Sequence, residues 1–334
     1  MILISIPSAL IADYINIPLA WFLGPMLATS MASLFGVKIK TPKLVLSSIL
    51  ILLGLYIGNY IDKSLFSQIQ EWFFTSLIML FYIIFSILIV SKYLQKFSNY
   101  EEKTSIFSAA PGALGPLMIL AEDEKKTDLS HVATAHLIRL IIIITVFPFI
   151  VHGFYESNSL ELRQEIVQDQ SELDLLILIF VSIILIYFFD KIGLPAALLS
   201  GTLIASGLLK ITAIASYQFS PNIIDYCLLI LGASVGCRFA NKSFSEIGKN
   251  AFHSFVATLL LVILGIGAAV IAGLVIDKNF FTLLLSYCPG GIYEVAVIAI
   301  FFNLDPEFVS FHHIIRLLMI LFVVPILLRL LKKT

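Results

Sequence analysis

The sequence predicts an all-α polytopic membrane protein built from two homologous multi-helix repeats, each holding one helix interrupted at Pro-Gly. Three observations predict it: an excess of apolar residues, a set of landmarks that recurs, and paired helix breakers inside apolar runs. Hydrophobic residues occupy 59% of the 334 positions and charged residues 13%, with a mean hydropathy of +1.01. Soluble domains carry about a quarter charged residues. A bilayer asks for about 20 mostly apolar residues per helical span. Runs at 173–189, 252–276 and 313–331 are of that kind.

The second half repeats the first at an offset of 177 to 179 positions. Leu53-Gly54 and Gly58 answer Leu231-Gly232 and Gly236. Ile17-Pro18 answers Leu194-Pro195, and Lys63-Ser64 answers Lys242-Ser243. Ser108, Pro111 and Gly112 answer Ser286, Pro289 and Gly290. Asp128, Val132, His136, Arg139 and Pro148 recur as Asp305, Val309, His313, Arg316 and Pro325. Matches of Leu and Ile mean nothing in such a composition, whereas Pro, Gly, Asp, His and Arg matching in order indicate a duplication. The expected domains are a first membrane repeat over 1–152, an acidic linker over 153–172, and a second membrane repeat over 173–334.

Each repeat reads as six hydrophobic segments, near 1–16, 19–36, 44–61, 72–95, 105–121 and 130–152, then 173–190, 194–210, 222–239, 250–276, 280–302 and 307–331. The first is short for a span. Six crossings per repeat make the copies parallel and five make them inverted; the sequence leaves that open. If all twelve cross, twelve Lys and Arg fall on the side of the C-terminus against seven on the other. The positive-inside rule then places the C-terminus in the cytoplasm. The start lacks a basic region and a cleavage pattern, so no removable signal is expected.

A formal net charge of −1 says little about partners. Cys227, Cys237 and Cys288 form neither a paired framework nor a metal-ligand spacing. No His, Cys or carboxylate cluster points to a metal or other cofactor, and no basic patch points to direct nucleic-acid binding. The expected partners are the lipid bilayer, a small-molecule or ion substrate, and a second copy of the chain.

Residues that carry chemistry concentrate in segments five and eleven and the helices after them. Pro111-Gly112 and Pro289-Gly290-Gly291 interrupt apolar runs. Proline removes an N–H and clashes with the preceding turn. Broken backbone at membrane depth persists only where protein buries it or where it lines a wet cavity. Paired interruptions in corresponding positions of a repeat are the sequence pointer to a transporter site; the competing reading is a proline kink used for packing. Glu294 lies in the first turn after Pro289, as a cation or proton ligand or as a stabiliser of a helix start. Pro116 stands in its place in the first copy.

Arg139 and Arg316 lie about 16 Å along a helix from Asp128 and Asp305, near mid-depth of a core roughly 30 Å thick. Asp128, Val132, His136 and Arg139 share one helical stripe, as do their counterparts. One reading is a positive wall for an anionic ligand with a titrating His beside it. The other is a structural one, in which each Arg neutralises carbonyls at a broken helix, and the two are compatible. The candidate substrate-binding set is Pro111, Gly112, Pro289, Gly290, Gly291, Glu294, His136, Arg139, His313 and Arg316. Glu122, Asp123, Asp128 and Asp305 read as helix caps or a cation vestibule.

These motifs carry a family resemblance. Leu23-Gly24-Pro25-Met26, Ala109-Ala110-Pro111-Gly112-Ala113 with Ala121-Glu122-Asp123, Cys288-Pro289-Gly290-Gly291 with Glu294, and His-x-x-Arg at 136–139 and 313–316 resemble the AbrB-type membrane proteins. That bacterial family is duplicated and is also labelled ammonia monooxygenase or membrane regulator. The resemblance spans nearly the whole chain and implies a bacterial inner-membrane protein linked to regulation of gene expression. Ala113 departs from the second glycine of the family's first Pro-Gly-Gly. The expectation is a secondary transporter or permease for a small solute, an anion on the positive-wall reading, not an enzyme, since a monooxygenase needs a metal cluster. The alternatives are a membrane sensor that binds a ligand without moving it and, third, a metal-dependent membrane enzyme.

Overall fold

The computed structural model describes residues 1–61, 63, 65–122, 124, 126–154, 171–194, 196–217, 219–240 and 244–331. Most of the acidic linker, Asp123, Pro195, Ser64 and Lys242-Ser243 lie outside the described residues. The described chain is helical throughout, with no strand. Its helices are α1 (Ile2–Tyr14), α2 (Ala20–Leu34), α3 (Lys43–Gly58), α4 (Leu65–Ser98), α5 (Glu102–Ala109), α6 (Leu114–Glu122) and α7 (Leu129–Phe154). After the linker come α8 (Glu172–Lys191), α9 (Ala197–Ile211), α10 (Pro221–Cys237), α11 (Phe244–Gly273), α12 (Phe280–Tyr287), α13 (Ile292–Phe301) and α14 (Pro306–Leu331). Fourteen helices stand where the hydropathy pattern shows twelve segments, because two segments each divide in two: α5 with α6, and α12 with α13.

Among the described residues five stretches are long and apolar enough to cross a membrane: Gln70–Ser98, Leu129–Phe154, Glu172–Lys191, Ala251–Gly273 and Pro306–Leu330. That is the make-up of a multi-pass membrane protein. The remaining apolar helices are shorter, α1 and α2 among them.

The chain forms two compact units, and each takes segments from both halves of the sequence. The first comprises Met1–Gln68, Phe147–Lys242 and Ala296–Glu307. Within it α10 packs on α2, and α3 packs on α9. Both seams are lined by a Gly-x-x-x-Gly pair, whose missing side chains let backbones approach closely. A Cβ on Gly58 would lie 2.5 Å from the Leu203 carbonyl oxygen and 2.5 Å from the Ser206 Cβ. Gly54 sits against Leu199 and Thr202; Gly232 and Gly236 sit against Phe22, Met26 and Thr29. Ser206 donates to the Leu55 carbonyl at 2.9 Å, and Thr29 to the Ala233 carbonyl at 3.2 Å. Helix starts match as well: Leu19 before α2 and Ala196 before α9 both adopt left-handed backbone, with φ of 54° and 56°.

The second unit comprises Ile69–Val146, Ser243–Val295 and Phe308–Thr334. It holds α4, both divided segments up to Val295, most of α7, α11 and most of α14. In it α11 packs on α12, where a Cβ on Gly265 would lie 3.0 Å from the Tyr287 carbonyl oxygen.

Candidate functional site

The two chain breaks in the second unit share one local construction. Helix α5 stops at Ala109, Ala110 turns extended (φ −61°, ψ 129°), and α6 starts at Leu114. Helix α12 stops at Tyr287, Cys288 turns in the same way (φ −59°, ψ 130°), and α13 starts at Ile292. Pro111 has no N–H for the Phe107 carbonyl four residues back, and Pro289 has none for Leu285. A buried carbonyl left without a donor is costly. His136 Nε2 lies 3.0 Å from the Phe107 oxygen, and His313 Nε2 lies 3.0 Å from the Leu285 oxygen. His136 thus stands where the proline removed a donor, and His313 adds a second partner to the Leu285 carbonyl, which also accepts the Cys288 N–H at 3.2 Å.

The arginines serve the next carbonyls in line. Arg139 donates through Nη1 to Ala110 and through Nη2 to Ser108, the latter at 2.5 Å. Arg316 donates through Nη1 to Cys288 and through Nη2 to Gly290, the latter at 2.5 Å. Cys288 and Ala110 are equivalent positions; Ser108 and Gly290 are not. Arg139 therefore stays on the end of its first half-helix, whereas Arg316 reaches across its break. Arg316 also lies against the other break, since a Cβ on Gly112 would sit 3.0 Å from its Nη2.

Hydrogen-bond partners assign the protonation of His313. Its Nε2 faces a carbonyl and so carries the hydrogen, and its Nδ1 accepts from Arg316 Nη2 at 3.1 Å. That arrangement fits the neutral ring. A second proton would point Nδ1–H at the Arg316 guanidinium.

Pro111, Gly112, Pro289, Gly290, Glu294, His136, Arg139, His313 and Arg316 are all buried, Gly291 is half-buried, and all belong to the second unit. The Glu294 carboxyl folds back over Gly291 at the start of α13, the place where a carboxylate stabilises a helix N-terminus. Asp128 is exposed and accepts from the His131 N–H at 3.0 Å, and its carboxylate lies 2.6 Å from His131 Nδ1. It caps α7. Glu122 is exposed at the end of α6. Asp305, with φ of 40°, precedes α14 and falls in the first unit. Among the described residues no group of three or more His, Cys, Asp or Glu could hold a metal ion.

Three buried polar residues of α4 were not singled out by sequence. Tyr82 stacks edge-on against Tyr287 with centroids 6.2 Å apart. The Tyr287 hydroxyl donates to the Thr75 carbonyl at 2.7 Å, and His312 Nε2 lies 2.8 Å from the Thr75 hydroxyl. Thr75, Tyr82 and Ser86 sit seven and four residues apart, a polar stripe along an apolar helix. That spacing is the signal that could have found them.

With this geometry in hand, known proteins offer a comparison. The family model described as "Transition state regulatory protein AbrB" matches residues 21–332. The chain belongs to the AbrB family. Within it, a protein of Escherichia coli (strain K12) named "Putative regulator AbrB" is 23% identical over 320 residues, covering 94% of this chain and 90% of that protein. "Uncharacterized protein YhjN" of Bacillus subtilis (strain 168) is 21% identical over 295 residues, covering 84% of this chain and 77% of that one. Both divided segments and both His-x-x-Arg helices fall inside the span that the AbrB family matches.

Proposed function

We propose that this AbrB-family chain is a duplicated secondary transporter or permease of the bacterial inner membrane, with its solute site at the two breaks of the second unit. The carrying observation is the repeated break itself: Pro-Gly between two half-helices, a His on the carbonyl four residues before the proline, and an Arg on the carbonyls beyond it. Discontinuous helices at the same place in two repeats are how transporters present half-helix termini to a solute. The duplication is supported by backbone geometry that recurs near 177 to 178 positions later: Leu19 and Ala196, Ala110 and Cys288, Pro42 and Ser220. In this reading the repeats are 1–152 and 173–334. They exchange helices, α3 of one lying on α9 of the other and α10 on α2.

The excess of Lys and Arg on one side supports a cytoplasmic C-terminus. No reaction is assigned to the site. Any effect on gene expression is indirect, following from movement or sensing of a solute.

The printed name of the Escherichia coli relative favours a second reading, a sensor that binds its ligand without moving it. Purified protein reconstituted in liposomes separates the two. Saturable uptake or efflux of a solute under a proton or sodium gradient supports transport. Saturable binding with no flux, in either orientation, rejects transport and leaves the sensor.

A further inference from the structure

We infer that the first break, at Ser108–Leu114, binds a small oxyanion through Ser108, Arg139, Arg316 and the start of α6. This rests on reading the breaks as the solute site and adds the ligand's charge, its chemistry and which of the two breaks holds it.

Charge comes first. The C-terminal end of a half-helix carries about −0.5 of an elementary charge and the N-terminal start of the next about +0.5. At a break the two meet and cancel, so the guanidinium beside them keeps its full positive charge. Arg139 and Arg316 are 2% and 1% exposed. Among the described residues no carboxylate lies within ion-pairing distance of either. Two buried cations whose hydrogen bonds go to neutral carbonyls favour an anion beside them.

Unused donors come second. The Nε–H of Arg139, the Nε–H of Arg316 and the hydroxyl of Ser108 are buried and have no hydrogen-bond partner among the described residues. Ser108 and Arg139 belong to the first break, and Arg316, bonded to the second, lies against it. Ser108 ends α5 and its carbonyl holds Arg139, while Arg316 Nε lies 3.4 Å from where a Cβ of Gly112 would sit. Directional N–H and O–H donors of this kind suit the oxygens of a carboxylate or phosphate better than a halide. The start of α6 adds backbone N–H groups that have no intrahelical acceptor.

The second break is built differently. Ser286 spends its hydroxyl on the Thr282 carbonyl at 2.8 Å. Glu294 lays its carboxyl over the start of α13, where Pro116 of α6 has no counterpart charge. Access differs as well: Gly115 in the first turn of α6 is exposed, whereas Ile292 and Glu294 of α13 are buried. The repeat is thus unequal, one break furnished with donors and the other closed by its own carboxyl.

The test is thermal unfolding of purified full-length protein in detergent, titrated with sodium acetate and separately with sodium phosphate, against sodium chloride at matched ionic strength. The inference expects a saturable rise in the unfolding midpoint with acetate or phosphate and none with chloride. Response to acetate alone identifies a carboxylate-bearing solute, and response to phosphate alone a phosphate-bearing one. Ser108→Ala removes a buried hydroxyl that has no hydrogen-bond partner among the described residues, so its ligand-free midpoint should equal or slightly exceed the parent's. Its half-saturating concentration should rise by about tenfold, the effect of one hydrogen bond to a charged group. A midpoint that rises without saturating, or equally in parent and variant, is a general salt effect and overturns the inference. Flux of a cation or neutral solute with no oxyanion response would overturn it while leaving transport standing. Oxyanion binding without any flux would overturn transport while leaving the oxyanion site.

Discussion

Gly112 ties the first break to the arginine of the second, and replacing it separates that role from ordinary helix chemistry. At φ of +116° a side chain is strained by about 1–3 kcal/mol before any contact is considered. Its Cβ would also sit 3.0 Å from Arg316 Nη2 and 3.4 Å from Cζ and Nε. Arg316 has little room to yield, being held by the Cys288 and Gly290 carbonyls and by His313. Loosening one of those charge-assisted bonds costs about 1.5–3 kcal/mol more. Gly112→Ala should therefore lose about 2.5–6 kcal/mol of stability. Gly115, three residues on, is the internal control: nothing lies within 4 Å of its Cβ position, and its backbone is ordinary helix. Gly115→Ala should be neutral or stabilising by about 0.4–1 kcal/mol. Both variants are read by fluorescence-monitored thermal unfolding of the purified protein in detergent. A Gly112→Ala midpoint equal to the parent's, or equal losses in the two variants, would refute the placement of Arg316 against the first break.

Two further outcomes follow from geometry outside the breaks. Gly58→Ala and Gly236→Ala force apart the α3–α9 and α10–α2 seams and should each cost about 1–3 kcal/mol by overpacking, seen as lower unfolding midpoints; a neutral result at both would refute the close seams. Burial pushes the Asp128 carboxyl up, but the bonds it accepts from His131 and Ser130 more than offset this, so its pKa lies below the ordinary 3.8. Its contribution is then complete above about pH 4 and fades as the pH falls through the depressed value. Asp128→Ala should cost about 1 kcal/mol near neutrality as a lost cap, and the gap between variant and parent should close in acid.

How far the sequence could be read depended on what each residue does locally. Helices and their limits follow from hydropathy and from Pro and Gly, so the apolar segments were visible. So was the stripe of Asp128, His136 and Arg139, because a 3.6-residue period needs no partner to be seen. What the stripe faces was not visible. His136 and Arg139 meet Phe107, Ser108 and Ala110, and the connection is the missing N–H of Pro111, which shows only once α5 is laid beside α7. The grouping of Met1–Gln68 with Phe147–Lys242 was equally hidden, since Leu and Ile faces do not name their partners. Ser108 illustrates the finer limit. Its match to Ser286 was plain in the sequence, yet one hydroxyl bonds its own helix and the other does not, a difference of rotamer that no spacing encodes.

The seam between α2 and α10 sets a timetable for synthesis. Thr29 and its acceptor Ala233 are 204 positions apart. At 5–20 residues per second, α2 waits roughly 10–40 s before the ribosome delivers its mate. During that interval its close-packing face has no α10 to cover it. Slowing elongation between α3 and α10 should therefore raise mispairing and degradation even though no residue has changed.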